Sequence, residues 1–214
     1  GTYRERVHLE GRHDVTIEGC GPGSRIVNPE GVIGMRQSDT VEPDPLIVVK
    51  GCQRFTLKSL TVAATGLVGV RVDSSSEDVT LDDLNMEASS GDPVADFVMA
   101  LSAVVVEDAA DVVIRGCRLT MTGTATPYPL IYAQGDRIRI LSNSIVAGAL
   151  PKSVDAGAGA GFDLPLDFEV AQAWGGVQIA GGSTDIEVRD NEILGGMGHG
   201  ITLGNVEFRE NEDP

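Results

Sequence analysis

Residues 55–62, FTLKSLTV, carry apolar side chains at their first, third, sixth and eighth positions. The same pattern, apolar–x–apolar–x–x–Cys/Leu/Asn–x–apolar, recurs along the chain at intervals of a few tens of residues. Recurrence of this kind is typical of repeat architectures, in which each repeat is one supersecondary unit. The other copies, of which the first and last match only six positions, are VTIEGC (15–20), VTLDDLNM (79–86), VVIRGCRL (112–119), IRILSNSI (138–145), IEVRDNEI (186–193) and VEFREN (206–211).

A second short apolar segment precedes each copy. Alternation with period two predicts strands with one side facing inward, such as Val79 and Leu81, and the other side facing outward, such as Thr80. Strands this short cannot bury their apolar side alone, so we expect three short strands per repeat and repeats that stack on one another. The preceding segments are VHL (7–9), IVV (47–49), VRV (70–72), VVV (104–106), LIY (130–132), VQI (177–179) and ITL (201–203).

The sixth position of the pattern predicts a column of side chains stacked along the repeat axis. Asn143 and Asn191 occupy neighbouring copies, and asparagine tolerates left-handed backbone while bonding to a like residue one repeat away. Cys20 and Cys117 share the column but lie three repeats apart, too far for a disulfide. We therefore expect three free and mostly buried thiols. The whole column is Cys20, Leu60, Leu84, Cys117, Asn143, Asn191 and Asn211.

These repeats resemble the right-handed parallel β-helix of the pectin-lyase-like superfamily, and the resemblance covers nearly the whole chain. It implies an all-β fold: a solenoid of about seven coils in a single domain, residues 1–214, with loop insertions at 28–45, 87–103 and 146–176. No capping repeat is evident in the sequence at either end. We therefore expect a piece of a longer chain, or ends covered by neighbouring subunits.

Composition excludes several classes of function. The net charge of −16 argues against nucleic acid, because phosphate binding needs a surplus of Lys and Arg. No apolar run reaches the roughly 20 residues of a membrane-spanning helix. No cysteine or histidine spacing typical of zinc is present. The sequence implies no cofactor; the acidic surplus is compatible with calcium but does not require it.

The resemblance implies a sugar-binding groove on the outward face of the first sheet. No carboxylate lies in the column of outward residues expected there, so no acid pair for glycosidic cleavage is visible. Its apolar members are expected to be covered by an insertion or a partner. The expected column is His8, Val48, Arg71, Val105, Ile131, Gln178 and Thr202.

Four polar members of this column are the predicted ligand-binding residues: His8, Arg71, Gln178 and Thr202. Either Trp174, in the longest insertion, or Tyr128 is expected to stack on a bound sugar. The competing interpretation is an ordinary solvated sheet.

One motif resembles an enzyme. Gly198, His199, Gly200 and Ile201 match the Gly-His-Gly motif that precedes an Ile-rich strand in polygalacturonases. The acids that those enzymes supply one and two coils earlier are missing, since WGGVQIAGG (174–182) and YPLIYAQGD (128–136) stand there. His199 is therefore the single catalytic candidate, and its alternative role is a tight turn before a strand.

The leading hypothesis is a non-catalytic β-helix module that binds carbohydrate or contacts partner subunits. Two alternatives stay open: a polysaccharide lyase or glycoside hydrolase acting on an acidic polysaccharide, and a structural spacer in a surface or phage-like assembly. The expected partners are a polysaccharide or a protein, including further copies in a homo-oligomer or larger assembly. The resemblance favours an extracellular or cell-surface location.

Overall fold

The computed structural model describes residues 1–32, 34, 44–73, 75–90, 100–122, 128–147, 175–196 and 200–204. Every element in this part of the chain is a β-strand, and every paired strand runs parallel to its neighbour. The expected all-β class is therefore confirmed. Strands that follow each other in sequence do not pair; each strand pairs with its equivalent one repeat away.

The strands form three stacks, and one repeat contributes a strand to each. Stack 1 contains β2 (Val7–Glu10), β5 (Ile47–Lys50), β8 (Val70–Asp73), the first half of β11 (Val104–Arg115), β13 (Ile131–Asp136), β16 (Val177–Ile179) and β19 (Ile201–Leu203). Stack 2 contains β3 (His13–Glu18), β6 (Gln53–Lys58), β9 (Glu77–Asp82), the second half of β11, β14 (Arg139–Leu141) and β17 (Glu187–Arg189). Stack 3 contains β1 (Thr2–Arg4), β4 (Arg25–Val27), β7 (Thr61–Thr65), β10 (Asn85–Ser89), β12 (Arg118–Thr122), β15 (Ser144–Ala147) and β18 (Glu192–Gly195).

Stacks 1 and 2 form one strongly curled sheet because β11 runs through both of them. Its first half pairs with β8 and β13, and its second half pairs with β9 and β14. The register with β13 shifts between Val106 and Ala109, and Asp108 between them has a φ of 51°. This irregularity turns the strand from one stack into the next, as bulges do elsewhere.

The core lies between the stacks and is built from the inward positions of all three. The register Val15–Phe55–Val79 aligns the copies as the sequence pattern predicts, and Phe55 and Val79 are fully buried. Val15 and Ile17 in the first repeat are only half-buried, because no described strand covers them on one side. Full burial of an inward side chain therefore depends on a repeat at both sides.

The connections differ sharply between the three corners. Stack 1 passes to stack 2, and stack 2 to stack 3, mostly through two or three residues, as at Gly51–Cys52 and Ser59–Leu60. The connections from stack 3 back to stack 1 are much longer in three repeats, at residues 28–46, 90–103 and 148–176. Variation in repeat length is thus concentrated at one corner.

Stack 2 begins with a column of charged residues, here called the charged ladder. Each member has a φ between 52° and 57°, a left-handed conformation that is uncommon outside glycine. Arg54 donates to both oxygens of Asp14 at 2.5 and 2.8 Å, and Arg137 donates to both oxygens of Asp111 at 2.8 and 2.7 Å. The charged ladder is Asp14, Arg54, Asp78, Asp111, Arg137 and Asp185.

The bend after stack 2 carries the column predicted from the sixth position, here called the buried ladder. The Asn143 side chain donates to Asn191 Oδ1 at 2.9 Å and to the Ile114 carbonyl at 3.0 Å, while its Oδ1 accepts from the Cys117 backbone N–H at 2.9 Å. Asn191 donates in the same way to the Ile140 carbonyl at 2.7 Å. The predicted asparagine stacking is confirmed for this pair; Asn211 lies outside the described residues.

The three cysteines are free, as expected, but they are not equally buried. Cys52 and Cys117 are buried, and Cys117 Sγ donates to the Leu81 carbonyl at 3.6 Å, the place that the amide of Asn143 takes one repeat later. Burial raises the pKa of the Cys117 thiol to about 12. Cys20 is exposed, because its copy lies in the first repeat where nothing described stacks on the outer side.

Candidate functional site

A groove of about 800 Å³ lies on the outer face of stack 3. Alternation along β10 makes it: Met86 and Ala88 face the core, while Asn85, Glu87 and Ser89 face outward. The same alternation on the neighbouring strands adds mostly hydroxyl, amide and guanidinium groups. The polar uncharged lining includes Asn28, Thr65, Asn85, Ser89, Thr120 and Thr122.

The floor of the groove is formed by small residues on β7. Ala63 lies between Val27 and Glu87 in the cross-strand register, and its methyl group leaves a depression beside those longer side chains. Thr61 is fully buried, and its hydroxyl donates to the Pro22 carbonyl at 3.0 Å. This hydroxyl therefore stabilises the fold and does not line the groove. The depth of the groove therefore depends mainly on the small size of Ala63.

An ion pair crosses this floor from one side to the other. The Arg25 guanidinium on β4 donates to both oxygens of Glu87 on β10, at 2.8 and 3.4 Å, and spans the intervening strand β7. Asn85 also donates to Glu87, at 2.9 Å. Both charged side chains are more than a third exposed, at 36% and 40%, so solvent and solutes reach the pair.

Two further arginines line the groove, and they give it a positive charge. Arg4 on β1 and Arg118 on β12 are exposed, and neither forms an ion pair with another described residue. The described lining thus holds three bases, Arg4, Arg25 and Arg118, against the single acid Glu87. This excess of positive charge is local, because the chain as a whole carries −16.

The column predicted on stack 1 is present, with one correction. His8, Val48, Arg71 and Val105 are aligned in register as expected, and Gln178 and Thr202 continue the column. The fifth member is Tyr132 and not Ile131, which is fully buried in the core. The strand is one residue out of the expected frame, because four apolar residues in a row, LIYA (130–133), leave the alternation ambiguous.

The middle of this column is covered. Val105 is only 6% exposed and packs in a small cluster with Val68 and Leu101, against which Tyr128 and Tyr132 also lie. Leu101 belongs to the end of the insertion that precedes β11. The expectation that the apolar part of this face is covered by an insertion is therefore confirmed for Val105.

The polar members of the column fall into two groups, His8 with Arg71 and Gln178 with Thr202, and three of the four lie close to a neighbouring polar group. His8 is near Glu10 (Nε2–Oε2 3.9 Å), and Arg71 is near Glu107 (Nε–Oε2 3.7 Å). Gln178 donates to the Gly204 carbonyl at 3.3 Å. Because the covered Val105 separates Arg71 from Gln178, the column does not form one continuous open strip. Ligand binding by His8, Arg71, Gln178 and Thr202 stays a prediction.

Trp174 and His199 lie outside the described residues, so their predicted roles remain predictions. The strand that follows His199 is described: Ile201 pairs with Val177 in stack 1. The outward residues of the two preceding stack 1 strands are Gln178 and Tyr132. Neither is an acid, so these two positions do not supply the carboxylate pair that glycosidic cleavage needs.

The described residues show neither a metal site nor a membrane-spanning helix. Among the described residues no group of three or more His, Cys, Asp or Glu side chains converges as a set of metal ligands. These residues also contain no helix with the length and apolar character needed to cross a membrane.

The groove on stack 3 is the site that the sequence pattern did not predict. Its outward residues occupy the seventh position of the repeat and the position two residues after it, which the pattern leaves unspecified. A comparison of those positions between the complete copies would have placed Asn85, Glu87 and Arg118 on one face, but not Arg25, which lies beyond the six matched positions of the first copy (15–20). No protein-family model, curated protein or solved structure matches this chain.

Proposed function

We propose that this protein is a right-handed parallel β-helix module that binds a carbohydrate chain without cleaving it, in the groove on the outer face of stack 3. The observation that carries the proposal is that groove, which is open, about 800 Å³ in volume and lined by hydroxyl, amide and guanidinium groups. Such groups can donate to and accept from the hydroxyls of a sugar.

The solenoid part of the proposal is supported by the strand pairing. Each repeat adds one strand to each of three parallel stacks, and the inward side chains of all three meet in one core. Parallel strands connected in this way need a crossover, and crossovers in parallel sheets are right-handed in nearly all cases. This arrangement of three parallel stacks around one core supports the proposed β-helix.

We propose binding without cleavage because of the acids that the described lining of the groove offers. Glu87 is the only carboxylate in the described lining, and it is held by Arg25 and Asn85. Glycosidic hydrolysis commonly needs two carboxyl groups about 5 to 10 Å apart, one of them a proton donor. A single carboxylate held by a guanidinium is suited to neither role, so we assign binding alone.

The proposal can be tested by a substitution that fills the groove with a large side chain. Ala63→Phe places a phenyl ring on the floor of the groove, at an outward strand position where an aromatic residue is well tolerated. We expect binding to neutral and charged oligosaccharides, measured by titration calorimetry after a glycan-array screen, to weaken at least about tenfold. The matched control is Thr80→Phe, an outward position on β9 in stack 2, which should bind like the wild type.

Two results would contradict the proposal. One is the absence of glycan binding by the wild type, and the other is equal binding by Ala63→Phe and the wild type. Release of reducing or unsaturated sugar ends during incubation would replace the binding module with an enzyme.

A further inference from the structure

We propose that the groove binds a glycan bearing anionic groups, and that Glu87 is an internal anion that competes with the ligand for Arg25. This inference rests on the proposed function, because it names the chemical class of ligand for the same groove. It adds a specificity-determining role for Glu87. The shared chemistry is an oxyanion on a sugar, either a carboxylate or a sulfate ester.

The first step is the charge of the groove. With three arginines and one glutamate in its described lining, the groove is positive by two charges within a chain of net charge −16. Long-range attraction of a polyanion is opposed by the rest of the surface. Any anion that binds is therefore held by short-range contacts to these guanidinium groups, which salt weakens.

The second step is the geometry of the Arg25–Glu87 pair. The two donor nitrogens of Arg25 face the two carboxylate oxygens of Glu87 at 2.8 and 3.4 Å, which is the bidentate arrangement that guanidinium groups make with a carboxylate ligand. Asn85 adds a third donor to the same carboxylate, at 2.9 Å. Glu87 thus fills a preformed oxyanion position that has donors on two sides.

The third step is that this position can exchange its occupant. Both partners of the pair are more than a third exposed, and exposed ion pairs of this kind contribute little to stability. Displacement of Glu87 by an anion from solution therefore costs little. The side chain of Glu87 therefore lowers the affinity of the groove for anions more than its affinity for neutral sugars.

The fourth step is the spacing of the arginines. Arg4 is on β1 and Arg118 is on β12, four strands apart in the order of stack 3. At about 4.8 Å per strand their strands are about 19 Å apart, with Arg25 between them. A single small anion cannot reach all three positions, whereas an oligosaccharide with repeated charges along its length can. This spacing favours a charged chain over an isolated anion.

The experiment compares Glu87→Gln with Arg118→Ala in titrations against three oligosaccharides of matched length. One is a uronic acid oligomer, one is a sulfated oligomer and one is a neutral glucose oligomer. Glu87→Gln should bind at least one anionic oligomer about three- to tenfold more tightly, and Arg118→Ala should bind it more weakly by a similar factor. Both changes should affect binding of the neutral oligomer much less than binding of the anionic one, because a neutral sugar has no charge to pair with Arg25 or Arg118.

The matched control is Arg139→Ala. Arg139 is an exposed arginine on β14 in stack 2, outside the groove, so its removal should leave all three affinities unchanged. A response to the uronic acid oligomer alone assigns the carboxylate as the ligand group, and a response to the sulfated oligomer alone assigns the sulfate. If the tighter binding of an anionic oligomer by Glu87→Gln disappears at high salt, this result supports a direct contact between the anion and Arg25.

Failure of this inference is distinguishable from failure of the proposed function. If Glu87→Gln and Arg118→Ala leave anionic binding unchanged while Ala63→Phe abolishes neutral binding, the groove is a sugar site without preference for anions and the inference is overturned. If Ala63→Phe changes no affinity at all, the groove is not the binding site and both proposals fail.

Discussion

The charged ladder and the buried ladder flank the same strands of stack 2 but hold their repeats together in different ways. Both place one residue per repeat in a column, so each side chain meets its equivalents above and below. On the surface the column uses Arg–Asp pairs such as Arg137–Asp111. Inside, it uses uncharged amides such as Asn143, which donate on one side and accept on the other.

The difference follows from the dielectric environment. Opposite charges on the surface gain little, because water and salt screen them. A like-charged neighbour is tolerated there as well, as Asp78 next to Asp111 shows. In the interior an unpaired charge would be costly. An amide carries both a donor and an acceptor, so amides in successive repeats can bond to one another. The buried column is therefore expected to contribute far more to stability.

The largest effect should come from Asn143→Ala. The change removes the acceptor of the Cys117 N–H and a donor to the Ile114 carbonyl, both in the interior. Each of these two buried groups left without a partner costs about 1–3 kcal/mol, so we expect a loss of about 2–6 kcal/mol in the free energy of unfolding. Urea denaturation followed by circular dichroism measures it. A loss below about 1 kcal/mol would remove the distinction between the two ladders.

A smaller effect is expected in the reactivity of the thiols. Burial, which raises the pKa of Cys117 to about 12, should leave that thiol unreactive towards a maleimide at neutral pH. Cys20 is exposed and should be labelled quickly, whereas Cys52 and Cys117 should be labelled only after unfolding. Asn143→Ala should make Cys117 react faster and leave the rate at Cys20 unchanged. Mass spectrometry of the labelled peptides distinguishes the three sites.

The smallest effect should come from Arg137→Gln in the charged ladder. The hydrogen bonds from Arg137 hold the pKa of Asp111 below its usual value. A carboxyl whose pKa is lowered by folding stabilises the folded state above its unfolded pKa, about 4, and loses that contribution as the pH falls through the folded value. At pH 7 the free energy of unfolding of the wild type should therefore be slightly larger than that of Arg137→Gln. This difference should be much smaller than the loss caused by Asn143→Ala.

The same comparison has two checks. The difference between the wild type and Arg137→Gln should shrink as the pH falls below about 4, and it should shrink at high salt, where surface pairs are screened. Thermal unfolding at several pH values and salt concentrations measures both trends. A difference that persists in strong acid would mean that Arg137 acts through packing and not through its charge.

The repeat pattern predicted much of this architecture because apolar alternation and burial are physically linked. It aligned Phe55 with Val79 and placed Asn143 against Asn191. It misplaced Ile131, because a run of apolar residues gives no alternation from which to read the frame. It also missed the exposure of Cys20, since burial in a stack depends on neighbouring repeats and not on the residue itself.

The candidate site was predicted less well, for a different physical reason. Outward positions are under little packing constraint, so the apolar pattern that defines the repeat does not specify their residues. Arg25, Glu87 and Arg118 are far apart in sequence and meet only through the register of β4, β10 and β12. The stack 1 column could be listed in advance, but the covering of Val105 by Leu101 depends on an insertion with no repeat of its own.

The corner between stack 3 and stack 1, where the connections vary most in length, has a consequence for how such a chain can change length. Extra residues between β4 and β5, or between β15 and β16, leave the pairing of the stacks in register, because the strands on both sides keep their partners. Each doubling of a flexible connection costs only about 0.6 kcal/mol in closure entropy. This corner is therefore the natural acceptor for foreign segments. Peptides grafted at this corner of different repeats would be displayed at intervals set by the strand spacing.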